Sequence, residues 1–323
     1  MKIALDATPL SVPAGGIRRY TEELTRALAE EAPEDRFWLL SDQPFRAVAG
    51  VDCGRPPSSP LERRWWTIGL PRELARIGAD VFHGTDFAVP WRRSVPSVIT
   101  VHDLSPWRLD TREETTPRVR RRGGALLRLR RATMTIVPTR AIRTELIERF
   151  ALEPETVVAV PLAASGAFRP VAAPPSSRPY FLHVGARRRR KNIEVIDHAN
   201  VVMAGGRQTD EQLAALYSGA VACLVPSLYE GFGLPVLEAM QCGCPVIVSR
   251  DPALMEVSGG AAEHVDATDA RRWHAAMEAL LAKPELREDL RARGFARASE
   301  FSWRRTARLT REVYAEALRR FRR

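Results

Sequence analysis

The chain has 323 residues, which is more than one ordinary hydrophobic core accommodates and therefore predicts two domains. Apolar residues make up 45% and charged residues 27%, a composition that excludes a disordered or fibrous protein. The 49 Lys and Arg outnumber the 39 Asp and Glu, and the resulting net charge of +10 favours anionic partners such as nucleotide phosphates, lipid headgroups or nucleic acid.

The sequence contains no apolar run of about eighteen residues or more, and an acid interrupts the apolar residues near Met1. We therefore expect neither a membrane span nor a secretory signal. The four cysteines form no Cys-x-x-Cys pair and have no histidine at zinc-finger spacing. We expect a cytoplasmic protein in which Cys242 and Cys244 are packing residues rather than metal ligands.

In the first half of the chain, short apolar runs alternate with helical patterns, as is typical of parallel sheets covered by helices. Amphipathic helices are predicted at Tyr20–Ala29 and at Arg140–Phe150, the second capped by Thr139. Six strands suit one open sheet in a domain of residues 1–165. They are Lys2–Leu5, Phe37–Leu40, Val81–His83, Ser97–His102, Thr135–Val137 and Val157–Val160.

A basic segment, Arg118–Arg131, contains seven arginines and no acid, and leucines interrupt it. This pattern is typical of contact with an anionic membrane surface. A solvated helix in an arginine-rich chain is an equally good alternative. Nucleic acid is a poor candidate partner, because no recognition motif or basic-aromatic interleaving accompanies the charge.

Residues 166–179 contain four prolines and predict an interdomain linker. Beyond it, the alternation of strands and helices resumes in a second domain, residues 180–302, with helices beginning near Thr209 and Gly233. An amphipathic helix, Trp303–Arg323, is expected to pack back on the N-terminal domain. The strands of the second domain are Tyr180–Val184, Val201–Ala204, Ala222–Val225, Pro245–Ser249 and, with a weaker pattern, Ala262–Val265.

Two glutamates follow the strand Ala222–Val225 in the segment Pro226–Met240. Glu230 comes at the carboxyl edge of the predicted sheet, where ligands of open α/β sheets bind, and Glu238 lies about one turn inside the next helix. Their spacing lets both line one cleft. The alternative is that both glutamates are exposed and solvated.

The glycines beside Glu230 and the helix that follows predict an anion site. Gly231 and Gly233 allow a ligand to approach the backbone, and a helix starting near Leu234 directs its free N–H groups toward the same point. A phosphate or sugar oxygen is expected there.

A second basic segment, Gly185–Asn192, follows the first strand of the second domain. Cations at this position would stabilise a leaving diphosphate. Lys191 and Arg190 fit that role, although four successive arginines leave the choice open and a solvated loop is the alternative.

Polar residues also follow the strands of the first domain. His102 and Asp103 end one buried strand, where they would face a ligand cleft. His83 ends another strand, and it either lines the same cleft or packs in the core. Gly15 and Gly16 form a weaker signal after the first strand, since one glycine pair is not a full dinucleotide motif.

The segment Pro226–Met240 resembles the E-x7-E motif of the retaining glycosyltransferases of family 4. The likeness extends through Thr209–Ala220 and Gly243–Ser249 and over nearly the whole chain. It implies the α/β fold called GT-B, two Rossmann-like domains that face each other across a cleft. It also implies a retaining hexosyltransferase that moves a sugar from a nucleotide-diphosphate sugar to a glycan or lipid-linked acceptor, in polysaccharide biosynthesis at the inner membrane face.

The same resemblance implies roles for individual residues. Glu230 would contact the hydroxyls of the donor sugar, Glu238 would hold the ribose, and His102 would contact the sugar or the acceptor. Because Lys191, neighbouring arginines and the helix dipole can stabilise the leaving diphosphate, neither a metal nor another cofactor is expected. The donor-binding set would be Arg187, Arg190, Lys191, Gly231, Phe232, Gly233, Leu234 and Glu238, and the acceptor or cleft set Gly15, Gly16, His83 and Asp103.

One departure from the family stands out. Only sixteen residues separate Asn192 from Thr209, where family members have a helix, a strand and another helix. We expect the C-terminal sheet to lose a strand and the wall around the nucleotide base to change. The alternative function is therefore a catalytically impaired relative that binds a nucleotide sugar, a glycan or a protein partner.

Overall fold

The structure of the chain is a computed structural model that describes residues 1–108, 117–172, 178–196, 200–205 and 208–321, with only the backbone of 118 and 119. Parts of the predicted linker and of the short connection before Thr209 lie outside these ranges. The described residues form two compact units. The first contains those from Met1 to Pro161, apart from Arg108, together with the segment from Trp303; the second contains those from Leu162 to Ser302.

A seven-stranded parallel sheet forms the core of the first unit. Its strands lie in the order β3-β2-β1-β4-β5-β6-β7, so the order reverses between β1 and β4. Six were predicted, and the additional β3 has only two exposed residues, too few to produce an apolar pattern. The strands are β1 (Lys2–Asp6), β2 (Arg36–Leu40), β3 (Asp52–Cys53), β4 (Val81–Gly84), β5 (Ser97–Thr100), β6 (Met134–Val137) and β7 (Val157–Ala159).

Four helices cover this sheet in chain order before the second unit begins. Thr139 caps the fourth, accepting a 3.2 Å hydrogen bond from the Ile142 amide, as its position before the helix predicts. The first helix extends beyond the predicted Tyr20–Ala29 at both ends. The helices are α1 (Gly16–Glu31), α2 (Leu70–Ile77), α3 (Pro117–Arg128) and α4 (Arg140–Phe150).

The second unit repeats the architecture with a five-stranded parallel sheet in the order β12-β11-β10-β8-β9. All five strands correspond to predicted ones. They are β8 (Phe181–Val184), β9 (Val201–Ala204), β10 (Ala222–Val225), β11 (Val246–Ser249) and β12 (Glu263–Val265). Five helices accompany them: α5 (Asp210–Gly219), α6 (Leu234–Gln241), α7 (Pro252–Ser258), α8 (Ala270–Ala282) and α9 (Pro284–Ala298).

The short connection leaves β9 at the edge of the second sheet, where it pairs with β8. A single 3-10 turn, Ile193–Ile196, is described between the basic segment and this strand. Val202 and Met203 on β9 are each 39% exposed. An edge strand with uncovered apolar side chains is consistent with the predicted loss of a neighbouring strand.

The last helix, α10 (Trp303–Phe321), belongs to the first unit. It packs along α1 and contacts β4, β5 and β6. The Tyr314 hydroxyl lies 2.7 Å from His83 Nδ1, and Thr306 donates a 2.7 Å hydrogen bond to the Pro161 carbonyl. Buried polar contacts therefore reinforce the apolar face of this helix.

Tyr314→Phe should lower the free energy of unfolding by about 1–2 kcal/mol, because it leaves His83 Nδ1 buried without its hydroxyl partner. Urea-induced unfolding, followed by tryptophan fluorescence, measures this. Arg304→Gln is the matched control on the same helix, since Arg304 is exposed and its ion pair with Glu31 lies at the surface. Equal stability of the two variants would contradict the role of Tyr314.

Candidate functional site

The carboxylate of Glu230 is the centre of a buried charged group in the second unit. It follows β10, is 6% exposed, and accepts hydrogen bonds from Lys191 Nζ, from Arg190 Nη1 at 3.2 Å and from Ser227 Oγ at 2.7 Å. Burial by itself would raise its pKa, but the charges of Lys191 and Arg190 outweigh burial and lower the pKa from 4.5 to about 2. Glu230 is therefore ionised and fixed in place.

The basic segment is fastened to the loop that carries Glu230. Asn192, in a left-handed conformation with φ 50°, donates from its side-chain amide to the carbonyls of Pro226 at 3.2 Å and Ala267 at 2.6 Å. The Leu228 amide donates to the Arg190 carbonyl at 2.8 Å. These contacts select Arg190 and Lys191 as the cations beside Glu230, whereas Arg187 is exposed.

The glycine-rich turn after Glu230 positions the start of α6. Gly233 has φ +87°, and a Cβ at this position would clash with Leu254 Cδ2. The Phe232 side chain is buried edge-to-face against Phe301, with ring centroids 6.0 Å apart. The backbone of this turn, rather than the Phe232 ring, is therefore the part that suits a ligand at the N-terminus beginning with Leu234.

Glu238 lies in a different hydrogen-bonded group. It is 5% exposed on α6, and the Tyr217 hydroxyl donates a 3.0 Å hydrogen bond to its Oε2. Burial, together with the charge of Glu238, raises the pKa of Tyr217 well above its usual value. Cys242 and Cys244 are buried free thiols with raised pKa values, in keeping with packing roles.

Asp251 is a site residue that the sequence reasoning missed. It caps α7 by accepting hydrogen bonds from the Ala253 and Leu254 amides at 3.0 and 3.1 Å, and its other oxygen lies 3.4 Å from the Glu230 amide nitrogen. Burial, reinforced by the charge of Glu230, raises its pKa to about 6. The pair Asp251-Pro252 is a recognisable helix start and was the available signal.

His102 lies at the carboxyl edge of the first sheet, as predicted from its strand. Its Nε2 donates a 2.8 Å hydrogen bond to the Thr85 carbonyl, and its ring packs edge-to-face on Tyr20 with centroids 4.7 Å apart. Burial lowers its pKa, although the Thr85 hydrogen bond and the charge of Asp103 oppose this. Asp103 is engaged in a local turn, accepting from the Ser105 amide and hydroxyl at 2.9 and 2.6 Å.

The remaining candidates of the first unit differ in exposure. Gly15 caps α1 and Gly16 is its first residue; both are exposed, and a Cβ on either would meet nothing within 4 Å. His83 is 0% exposed, and its ring nitrogens lie 2.7 Å from the hydroxyls of Tyr314 and Thr100. Its position in the core favours the packing alternative over a cleft role, because both ring nitrogens are already used.

Two carboxyls that the sequence reasoning did not single out lie at the ends of neighbouring strands, Asp6 at the end of β1 and Asp86 after β4. Burial and the neighbouring charges of Asp6 and Asp103 raise the pKa of Asp86 to about 7. Burial likewise raises the pKa of Asp6 to about 6, although Thr8 hydrogen bonds oppose this. Within the described ranges, no three His, Cys, Asp or Glu side chains are placed to hold a metal ion.

The basic segment Arg118–Arg131 is partly engaged in packing. The guanidinium of Arg122 lies 4.2 Å from the ring centroid of Trp66, and that of Arg128 lies 5.6 Å from that of Phe150. Arginines stacked on aromatic rings contribute to the fold as well as to the surface charge. No helix in the part of the chain that the structure describes is long and apolar enough to cross a membrane.

Glu230→Gln should lower the free energy of unfolding near pH 7 by on the order of 3 kcal/mol, because two cations lose their buried partner. Since folding lowers the pKa of Glu230 from 4.5 to about 2, its contribution is present above about pH 4.5 and is lost as the pH falls toward 2. The difference from the wild type should therefore shrink in acid.

Urea unfolding near pH 7 and near pH 3 measures this difference, with the exposed Glu278→Gln as the control. A gap that is the same at both pH values would contradict the assignment of the low pKa to Glu230.

Solved structures with similar chains define the class of fold. Sucrose-phosphate synthase from Thermosynechococcus elongatus superposes with a TM-score of 0.79 at 22% identity over 98% of both chains. Anabaena HepE, solved in complex with UDP-glucose, superposes with a TM-score of 0.72 at 14% identity over 98% of this chain and 100% of that one. With the two parallel sheets, these likenesses confirm the predicted GT-B fold of two Rossmann-like domains.

Two family models identify the family. "Glycosyltransferase Family 4" matches residues 14–164, "Glycosyl transferases group 1" matches residues 197–297, and together they account for more than half of the chain. The chain belongs to glycosyltransferase family 4, as its E-x7-E segment indicates. O-antigen chain mannosyltransferase B from Escherichia coli is 28% identical to it over 97% of this chain and 99% of that protein.

The alignment with the Escherichia coli protein runs to 383 positions, whereas this chain has 323 residues. At least 60 positions, 383 minus 323, therefore have no residue of this chain opposite them. The relative is longer, which agrees with the shortened connection before Thr209 and the edge position of β9.

Proposed function

We propose that the chain transfers a hexose from a nucleotide-diphosphate sugar to a glycan or lipid-linked acceptor, with retention of configuration and without a metal. The observation that carries this proposal is the buried ionised group of Glu230, Lys191 and Arg190 beside the N-terminus of α6. The names of similar proteins support it, since one is a mannosyltransferase and another was solved with UDP-glucose.

Glu230 pairs with both Lys191 and Arg190, one negative charge against two positive ones. A bound diphosphate, with its two negative charges, would compete with Glu230 for both cations through charge-assisted hydrogen bonds. The Glu230 oxygens released in this exchange would accept hydrogen bonds from hydroxyls of the donor sugar. The same three side chains thus hold one another in place and would divide between sugar and phosphate once the donor is bound.

Transfer then needs the bond between the anomeric carbon and the diphosphate oxygen to break. Lys191, Arg190 and the positive end of the α6 dipole stabilise the charge that develops on the departing diphosphate. The acceptor hydroxyl attacks from the face that the diphosphate leaves, its proton passes to a diphosphate oxygen, and the configuration is retained. Glu238, fixed by Tyr217, would hold the ribose.

On the acceptor side we propose His102 and Asp103, together with the exposed turn at Gly15 and Gly16. Burial lowers the pKa of His102, so that a neutral imidazole is available near neutral pH.

We also propose a cytoplasmic location in which Arg118–Arg131 contacts anionic lipid, because Arg121 and Leu129 are exposed in this segment.

The alternative function is binding of a nucleotide sugar, glycan or protein partner without transfer. The edge strand β9 and the sixteen residues between Asn192 and Thr209 favour it, because at least 60 positions of the longer relative are missing. In this alternative the charged group binds a diphosphate but the base is not held well enough for reaction.

Glu230→Ala and Lys191→Ala should each reduce transfer at least about 100-fold, because each removes a group that binds the sugar or the leaving diphosphate. The full-length chain is incubated with a panel of nucleotide sugars and glycan acceptors, and release of nucleoside diphosphate is measured. NMR of the product gives the anomeric configuration. Glu278→Gln is the control that should keep wild-type activity.

Thermal shifts with the same nucleotide sugars separate the two functions. Binding without turnover would support the alternative, and binding lost in Lys191→Ala would place it at this site. Neither shift nor turnover would refute the transferase and leave binding of a glycan or a protein partner as the function, and undiminished transfer by Glu230→Ala would refute the role of that carboxylate.

A further inference from the structure

His183 is a buried histidine on β8 that neither the motif nor the proposed mechanism uses. It is 1% exposed, and its Nδ1 lies 3.0 Å from the Leu224 carbonyl oxygen. A carbonyl oxygen can only accept, so Nδ1 carries the hydrogen and Nε2 of the neutral ring has a bare lone pair. Nε2 is buried without a hydrogen-bond partner among the described residues, which is unfavourable and requires an explanation.

The direction of Nε2 follows from Gly185, two residues further along. Gly185 has φ +151°, a conformation that residues with a Cβ rarely adopt. A Cβ built on Gly185 would lie 3.5 Å from His183 Nε2 and 3.9 Å from Lys191 Cε. The space beside this glycine is therefore bordered on one side by the imidazole and on the other by the lysine that pairs with Glu230.

The charged groups that face the ring are Lys191 and Glu230. Burial, and after it the charge of Lys191, lowers the pKa of His183. The Leu224 hydrogen bond and the charge of Glu230 act in the opposite direction but are outweighed. The ring is therefore neutral near neutral pH. A phosphate oxygen beside it would meet a lone pair, which is repulsive unless Nε2 gains a proton.

We infer that His183 is a further residue of the donor site, whose Nε2 takes up a proton from solvent when a nucleotide diphosphate binds and donates a hydrogen bond to it. This inference rests on the proposed function, because the ligand is the diphosphate of the donor. The added negative charge favours the imidazolium, and protonation converts a repelling lone pair into a charge-assisted donor. Donor binding and proton uptake are then linked.

Isothermal titration calorimetry of the full chain with GDP-mannose and UDP-glucose tests this linkage. Both phosphates of these probes are already ionised, so proton uptake belongs to the protein. Titrations in buffers of different ionisation enthalpy should show uptake approaching one proton for each nucleotide sugar bound. His183→Gln should abolish the uptake and weaken binding roughly tenfold or more, because an amide cannot be protonated.

His264→Gln is the matched control. His264 belongs to the same unit and is partly buried, but its Nε2 lies 2.8 Å from the Ser258 hydroxyl. This variant should keep the proton uptake and the affinity of the wild type. Equal uptake by His183→Gln would overturn the inference.

The pH dependence of wild-type binding does not rely on the folding of any variant. Because the protonated form binds the diphosphate, affinity should fall as the pH rises from about 6 to 8. Binding that is independent of pH and without proton uptake would overturn the role of His183 and leave the proposed function standing. If the wild type binds neither nucleotide sugar, the proposed function fails and this inference falls with it.

Discussion

The ion group of Glu230, Lys191 and Arg190 is the interaction on which the second unit depends. Burying a charged carboxylate with a single hydroxyl as its partner would cost free energy, but two cations within hydrogen-bond distance keep it ionised. The contacts that Asn192 makes with the Pro226 and Ala267 carbonyls hold the cations in position. Hydrogen bonds therefore join the loop after β10 to the turn after β8.

The arrangement also explains why charge is concentrated at this edge of the sheet. Parallel strands bring their carboxyl ends to the same side, so the turns after β8, β10 and β11 contribute Lys191, Glu230 and Asp251 to one region. Burial, reinforced by the charge of Glu230, raises the pKa of Asp251, whereas the charges of Lys191 and Arg190 lower the pKa of Glu230.

The shortened connection has a structural consequence that is separate from this charged group. It leaves β9 at the edge of the sheet with Val202 and Met203 partly uncovered, while the contacts of Glu230 remain complete. The contacts of the charged group around Glu230 are therefore independent of the shortened connection. In the proposed alternative function the charged group around Glu230 is kept, while the wall around the nucleotide base is lost.

The local sequence pattern was sufficient to predict most strands, the helix cap at Thr139 and the family, because each depends on residues close together in the chain. The two-residue β3 escaped because it has no pattern of its own. Which of four successive arginines meets Glu230 was decided only by the fold: the turn Arg189–Lys191 directs Arg190 and Lys191 inward and leaves Arg187 exposed.

Contacts between segments far apart in the chain determine the features of the site that the sequence did not predict. His83 follows an apolar strand just as His102 does, yet Tyr314, 231 residues away, places it in the core. Asp251 and His183 acquire their positions beside Glu230 and Lys191 in the same way. The amino-acid sequence by itself determined the family, the strands and the acidic pair, whereas tertiary structure decided each side chain's partner and burial, since these depend on segments far apart in the chain.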